Sequence, residues 1–225
     1  MLTLKHELTR SRQDYLKALY TLGPGGQSVA TSKLARQLAV SAPSVTNMLG
    51  KLAIERLVAY TPRGGAQLTR QGRRLALDMV RRHRILETFL VRVLGLDWAE
   101  VHEDAEILEH HISEKVLAAI DRLVGHPVED PHGHPIPDSS GRMVRRSLTS
   151  LALLERGARA TVREIRGVHD ARLSRWKELG LVPGARIRVR EVRTVDGVID
   201  LEVGGGTHTV GREGLEGLYV EVERE

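Results

Sequence analysis

His83 and Glu87 stand four residues apart, and His102, Glu106, Glu109 and His110 follow within one short stretch. Side chains four apart share a helix face. Counting about 100° per residue from His102 puts Glu106 at about 40°, Glu109 at about 340° and His110 at about 80°. Glu103 falls at the edge of this arc, and His111, at about 180°, falls outside it. Val101, Ala105, Leu108 and Ile112 form a separate apolar stripe, suited either to an intramolecular core or to a dimer surface. Ionisable groups crowded on one side of a helix repel or desolvate one another unless something compensates them. A divalent cation would do so, because carboxylate oxygen and neutral imidazole are its ordinary ligands. The plain alternative is a solvated acidic face. The second pair, His83 and Glu87, favours the metal. The chain has no Cys, which excludes a disulfide framework, a Cys-type zinc site and an iron–sulfur cluster.

These residues need two helices to hold them. The spacing predicts a long helix from Thr69 or Arg70 to about Leu94, ended by Gly95, and a second from Trp98 to about Ile112, capped by Asp97. Ahead of them, residues 8–22 read as a helix ended by Gly23-Pro24-Gly25-Gly26, and Thr31 can cap a short helix containing Leu34 and Leu38. Ser41 can cap a third, with Pro43 in its first turn, where a missing N–H costs little. Val45, Met48, Leu49 and Leu52 give that helix one buried stripe and leave Ser44, Asn47 and Lys51 outside. A short hairpin follows, 58–61 and 66–69, with Arg63 in its turn. Two helices and a hairpin in this order read as a winged helix-turn-helix. Its third helix suits the major groove of duplex DNA, with Asn47 able to read adenine and Lys51 and Arg63 able to neutralise phosphates.

Charge agrees. Residues 1–76 carry a net charge of +9, residues 77–125 a net −4, and residues 148–225 are balanced. A basic head is the footprint of a nucleic-acid binder. Only seven residues are aromatic, which argues against recognition of single strands by stacking. No apolar run reaches the roughly 18 residues of a membrane span, and the first ten residues hold no signal-peptide core. The chain is therefore expected to be cytoplasmic. Residues 126–141 hold four Pro and two Gly and read as an irregular or packed loop, in which His132 and His134 are expected to have no ligand role. From about Leu148 short strands are predicted at 161–165, 187–192, 199–203 and 218–222, with a helix from Ala171 to Glu178 and a turn at Asp196-Gly197.

Residues 10–140 resemble the diphtheria toxin repressor family of metal-dependent transcriptional regulators, including its manganese-sensing branch. The matching stretches are Asp14-Tyr15-Leu16-Lys17, Ser41-Ala42-Pro43-Ser44-Val45-Thr46-Asn47, Arg82-His83-Arg84-Ile85-Leu86-Glu87, residues 101–111, and the proline loop at 131–137. The tail resembles an SH3-like domain of the FeoA type, notably at Leu179-Gly180-Leu181-Val182-Pro183-Gly184. The resemblance implies a primary, activating metal site on Asp14, Glu106, Glu109 and His110. It implies an ancillary site on His83, Glu87 and His102, although in manganese-sensing relatives the counterpart of His83 joins a two-metal cluster at the primary site. Those relatives place Glu three residues after the Asp, where this chain has Lys17, which counts against such a cluster. The tail would lend Glu164 to the ancillary site, with His169 nearby. DNA contacts would fall on Ser41, Pro43, Ser44 and Asn47.

The expected architecture is mostly α with a small β domain: a winged helix-turn-helix DNA-binding domain at 1–76, a helical metal-binding and dimerisation domain at 77–147, and a FeoA/SH3-like β-barrel at 148–225. The expected function is a homodimeric, metal-dependent repressor of metal-uptake genes, activated by Mn²⁺ with Fe²⁺ as second candidate, and bound to a double-stranded operator. No enzyme activity, membrane or small-molecule substrate is expected. The rival reading is a winged-helix regulator not controlled by metal, with a structural acidic–His face.

Overall fold

The computed structural model describes residues 8–167 and 171–223, in two compact units whose division falls inside one long helix, between Arg82 and His83. The first unit runs to Arg82 and includes Pro137–Arg142. It holds α1 (Arg10–Leu22), α2 (Thr31–Gln37), α3 (Ala42–Ile54), the hairpin β1 (Val58–Thr61) and β2 (Gly65–Leu68), and the first half of α4 (Arg70–Arg92). Ser41 caps α3, its hydroxyl accepting from the Ser44 N–H, and Pro43 sits in the first turn. Thr31 is the first residue of α2, and Ala30 occupies the cap position. Leu16, Leu19, Leu34, Val45, Leu49 and Leu52 are buried together. Burial of each such side chain contributes about 1.5–3 kcal/mol, which is what holds three short helices against the hairpin. The hairpin pairs Val58 with Leu68 and Thr61 with Gly65, and Val29 bridges to Ala66. Gly72 lets α4 start against the hairpin: a Cβ there would lie 1.9 Å from the Leu57 carbonyl oxygen.

The second unit covers 83–136 and the chain from Met143 onward. The rest of α4 packs with α5 (Val101–Leu108) and α6 (Glu114–Leu123). Leu86, Leu90, Val101 and Ala105 form one buried cluster, with Phe89, Ile112 and Ile120 against it. The apolar stripe is thus resolved: Val101 and Ala105 are core, whereas Leu108 stays 40% exposed. The second predicted helix is shorter than its periodicity suggests, because 98–100 and 109–111 are turns; Asp97 caps the first of them by accepting from the Ala99 N–H at 3.0 Å. The sequence reading did not include α6. Ser113 caps it, and Leu117 anchors it.

The tail is a six-stranded antiparallel sheet of β3 (Thr149–Ser150), β4 (Arg159–Ile165), β5 (Arg186–Arg193), β6 (Val198–Val203), β7 (Gly206–Gly211) and β8 (Leu218–Val222), ordered β3-β8-β4-β5-β6-β7. Its inner face packs on α7 (Ala171–Glu178) through Leu173 and Trp176. The fold is SH3-like as expected, but the sheet is open at β3 and β7 rather than closed into a barrel. Among the described residues no helix is long and apolar enough to cross a membrane.

Candidate metal centre

The helical period of α4 puts His83 one turn from Glu87, and α5 sets His102 and Glu106 one turn apart on the facing helix. The backbone stays near-helical past Leu108, with Glu109 at φ −58°, ψ −27°, so Glu109 and His110 follow in phase. His83 is buried at the centre. Its Nδ1 lies 2.6 Å from Glu109 Oε2, and its Nε2 lies 2.9 Å from Glu87 Oε1 and 3.1 Å from His102 Nδ1. His102 Nδ1 is 3.2 Å from the same Glu87 oxygen, and its Nε2 is 3.8 Å from Glu106. His110 Nε2 is 3.7 Å from Glu109 Oε1. Two sets of ligand-type atoms lie within 4.8 Å of one another here: His83, His102 and Glu106, and Glu106, Glu109 and His110. His83 therefore touches members of both expected ligand sets.

Glu87 and Glu109 are 2% and 1% exposed. Burying a carboxylate costs several kcal/mol unless it is matched by charge or hydrogen bonds. Burial opposes ionisation of Glu87, yet the charge of His83, the hydrogen bonds of His102 and His83 and the nearby imidazole of His132 outweigh it and hold the carboxyl well below its usual range. The proline loop supplies the third of those imidazoles. His132 is buried, with Nδ1 3.7 Å from Glu87 Oε2 and Nε2 2.8 Å from the Trp98 carbonyl oxygen. Burial opposes its protonation, but the nearby carboxylate of Glu87, then the charge of Asp130, raise its pKa. Asp130 fixes the loop by accepting from the N–H groups of His132 and His134 at 2.8 and 2.9 Å. Asp130, His132 and His134 form a third set of ligand-type atoms within 4.8 Å. The sequence reading left this loop's histidines without a role. The signal that could have found His132 is Asp130-Pro131-His132-Gly133, an acid ready to cap a tight turn beside an imidazole.

Asp14 lies on α1, in the first unit. Glu164 is buried on β4, and its carboxylate is 2.6 Å from Arg166 and 4.0 Å from Arg146; among the described residues it belongs to none of the three sets. His169 lies outside the described residues. Ser41, Pro43, Ser44, Asn47, Lys51 and Arg63 are all exposed, five of them at or beside α3 and Arg63 in the hairpin turn. The Ser41 and Ser44 hydroxyls are 2.8 Å apart, so both are partly engaged in capping.

The donors at the buried centre are carboxylate oxygen and imidazole nitrogen without sulfur, a set that fits a divalent cation of hard or borderline character. With the exposed third helix and basic turn, this defines a DNA-binding protein with a metal centre. Comparison with known proteins agrees. Residues 7–66 match the iron dependent repressor N-terminal DNA binding domain, 69–138 the iron dependent repressor metal binding and dimerisation domain, and 149–222 the FeoA domain. The chain is 30% identical over 197 residues to the iron-dependent repressor IdeR of Mycobacterium tuberculosis, covering 82% of this chain and 85% of that protein. It is 35% identical over 122 residues to the transcriptional regulator MntR of Bacillus subtilis, covering 54% of this chain and 85% of MntR. A solved manganese-dependent transcriptional repressor in complex with manganese superposes with a TM-score of 0.84 at 38% identity, over 93% of this chain and 98% of that one. The chain belongs to the iron-dependent repressor family, whose members are metal-dependent, DNA-binding transcriptional regulators and not enzymes.

Proposed function

We propose that this protein is a manganese-activated repressor of metal-uptake genes, with Fe²⁺ as second activator, acting in the cytoplasm as a homodimer on a double-stranded operator. The observation that carries the metal reading is the arrangement of buried His83, Glu87 and Glu109 with half-buried His102, in which carboxylates and imidazoles crowd within hydrogen-bond reach. Asp14, Glu106, Glu109 and His110 form the primary set, and His83, Glu87 and His102 the ancillary set. Glu164 is the weakest member, since Arg166 and Arg146 already neutralise it. The relatives name both metals: one solved neighbour is a manganese-dependent transcriptional repressor, and IdeR is an iron-dependent repressor. Asp14 and Glu106 are what support Mn²⁺ in this reading. By the family resemblance, the iron-sensing branch has Met where Asp14 stands and Cys where Glu106 stands, and hard oxygen donors remove the bias of sulfur toward iron, cobalt or nickel. Manganese still binds more weakly than iron in raw affinity, so selectivity comes from productive geometry and availability.

Residues 1–76 read the DNA through Ser41, Pro43, Ser44, Asn47, Lys51 and Arg63, residues 77–147 bind metal and dimerise, and residues 148–225 form the FeoA-type domain. Leu94, Leu96, Ile107 and Leu108, all at least 40% exposed, supply apolar surface for the dimer. Linkage requires metal to favour the DNA-competent state and DNA to tighten metal by the same factor. The test is fluorescence anisotropy on operator DNA after chelation, with Mn²⁺, Fe²⁺ under anaerobic conditions, or no ion added back. Affinity should rise by about 5–150-fold with Mn²⁺. Equal affinity with and without every ion would leave the regulator without metal control.

A further inference from the structure

The outer face of the tail sheet carries six arginines, and their partners divide them into two groups. Arg163 lies 2.7 Å from Glu221, Arg193 lies 2.8 Å from Asp200, and Arg190 is held by Glu202 at 2.5 Å. Arg159, Arg186 and Arg188 make no ion pair or side-chain hydrogen bond among the described residues. Strand register explains why. Arg159 on β4 stands directly opposite Arg188 on β5, so like charges face each other. The other cross-strand neighbour of Arg188 is Glu202, which Arg190 already engages. Arg186 faces Thr161 on one side. On the other, β6 ends at Val203 and the Gly204-Gly205 turn, which offers no side chain. Directly opposed like charges destabilise a sheet; Arg159 and Arg188 are so opposed, and Glu202 and Glu223 beside them offset the three guanidiniums only in part.

The space for one is there. Arg159, Arg186 and Arg188 line a cleft of about 380 Å³ with Glu202, Glu223 and the Gly204-Gly205 turn. Ile187 and Val203 also border it, but their side chains are buried in the sheet core. The charged side chains of the cleft are three arginines and two glutamates. Glu223, exposed at its rim, is the lining carboxylate that no arginine engages among the described residues. We propose that this cleft is an oxyanion site of the phosphate class, separate from the metal centre. The planar guanidinium fork matches phosphate oxygens bidentately, and three of them line this one cleft. The same chemistry serves a free phosphate compound or a phosphodiester of bound DNA.

Titration calorimetry on the full chain with inorganic diphosphate, together with the salt dependence of duplex binding, tests it. Arg186→Gln with Arg188→Gln is expected to weaken diphosphate by roughly tenfold or more, as loss of charge-assisted bonds does. Glu223→Gln, which removes the opposing charge, is expected to tighten it, and both variants change exposed or half-exposed positions, on β5 and just past the end of β8. If the phosphate recognised is that of DNA, the slope of log affinity against log salt falls by about 0.9 per lost contact, or roughly 2 for the double variant. If it is a free phosphate compound, that slope is unchanged while the diphosphate loss stands. Identical diphosphate affinity and identical salt slope in wild type and double variant overturn the proposal.

Discussion

Replacing Glu87 with Gln keeps the shape of a buried side chain and removes its charge. In metal-free protein the carboxylate is matched by the imidazoles of His83 and His102, at 2.9 and 3.2 Å, and of His132 at 3.7 Å. Removing one member of a buried charged pair costs about 3–5 kcal/mol, because the partners remain buried. Gln still accepts one hydrogen bond and the imidazoles can shed protons, so the cost falls at the lower end, about 3 kcal/mol. In a chain of this length 1 kcal/mol shifts Tm by roughly 2–4 °C, so a fall of about 6–12 °C is expected.

The sign of the pH dependence follows from the two shifts. His132 is held above its ordinary value of 6.5, so the stability its proton supplies is full below that value and fades as pH rises through the folded-state pKa. Glu87 is held below its ordinary 4.5, so its contribution is present above that value and fades as pH falls through the folded-state pKa. Both contributions are in place at about pH 6, below the ordinary histidine value, and the first weakens on going to alkaline pH. Glu87→Gln should therefore cost more at the lower pH. Circular dichroism melts in chelator at both pH values measure this. A fall under about 2 °C near pH 6, or equal falls at both, refutes the reasoning.

Glu109→Gln or His110→Ala should abolish the stimulation of DNA binding by Mn²⁺ in anisotropy titrations while leaving the circular dichroism spectrum unchanged, whereas His111→Ala, on an exposed side chain out of phase, should do little. Asn47→Ala should lose discrimination between operator and random duplex, and Arg63→Ala should weaken both alike and lower the salt slope by about 0.9; equal losses from Asn47→Ala would remove it as a base reader. Glu106→Cys with Asp14→Met should move activation toward Fe²⁺, Co²⁺ or Ni²⁺ in DNA titrations with each ion, and an unchanged ranking would count against oxygen donors as the source of the Mn²⁺ preference.

Local geometry explains what could be read without coordinates. A cap and stripe such as Ser41, Pro43, Val45, Leu49 and Leu52 are decided within one helix, and the structure keeps them. The phase of His102, Glu106, Glu109 and His110 is likewise a property of one helix and its last turn. Elements with weak local signals were not legible. In α6 the buried side consists of Leu117 and Asp121, too little for a clear period. β7 is Gly206-Thr-His-Thr-Val-Gly211, an edge strand whose one requirement is backbone pairing with β6.

Long-range neutralisation is the part that no local pattern reports. His132 reaches Glu87 because Asp130 ties the loop into a turn, and because the loop backbone meets β4. The Ile165 N–H donates to the His132 carbonyl at 3.0 Å, and a Cβ on Gly133 would lie 1.8 Å from the Arg163 oxygen. Glu164 shows the same limit from the other side. Alternation along β4 marks Ala160, Val162 and Glu164 as inward, so a buried carboxylate could be inferred there from sequence. A buried carboxylate must be compensated, and periodicity is silent on whether a cation or an arginine does it. Here Arg166 closes on it from two residues away, and Arg146 approaches from the segment before β3. Any ion at Glu164 would have to displace guanidinium contacts already made. The partners of Glu87 are imidazoles, which are themselves metal-ligand types, and this favours α4 and α5 over the tail as the energetic centre of the proposed metal site.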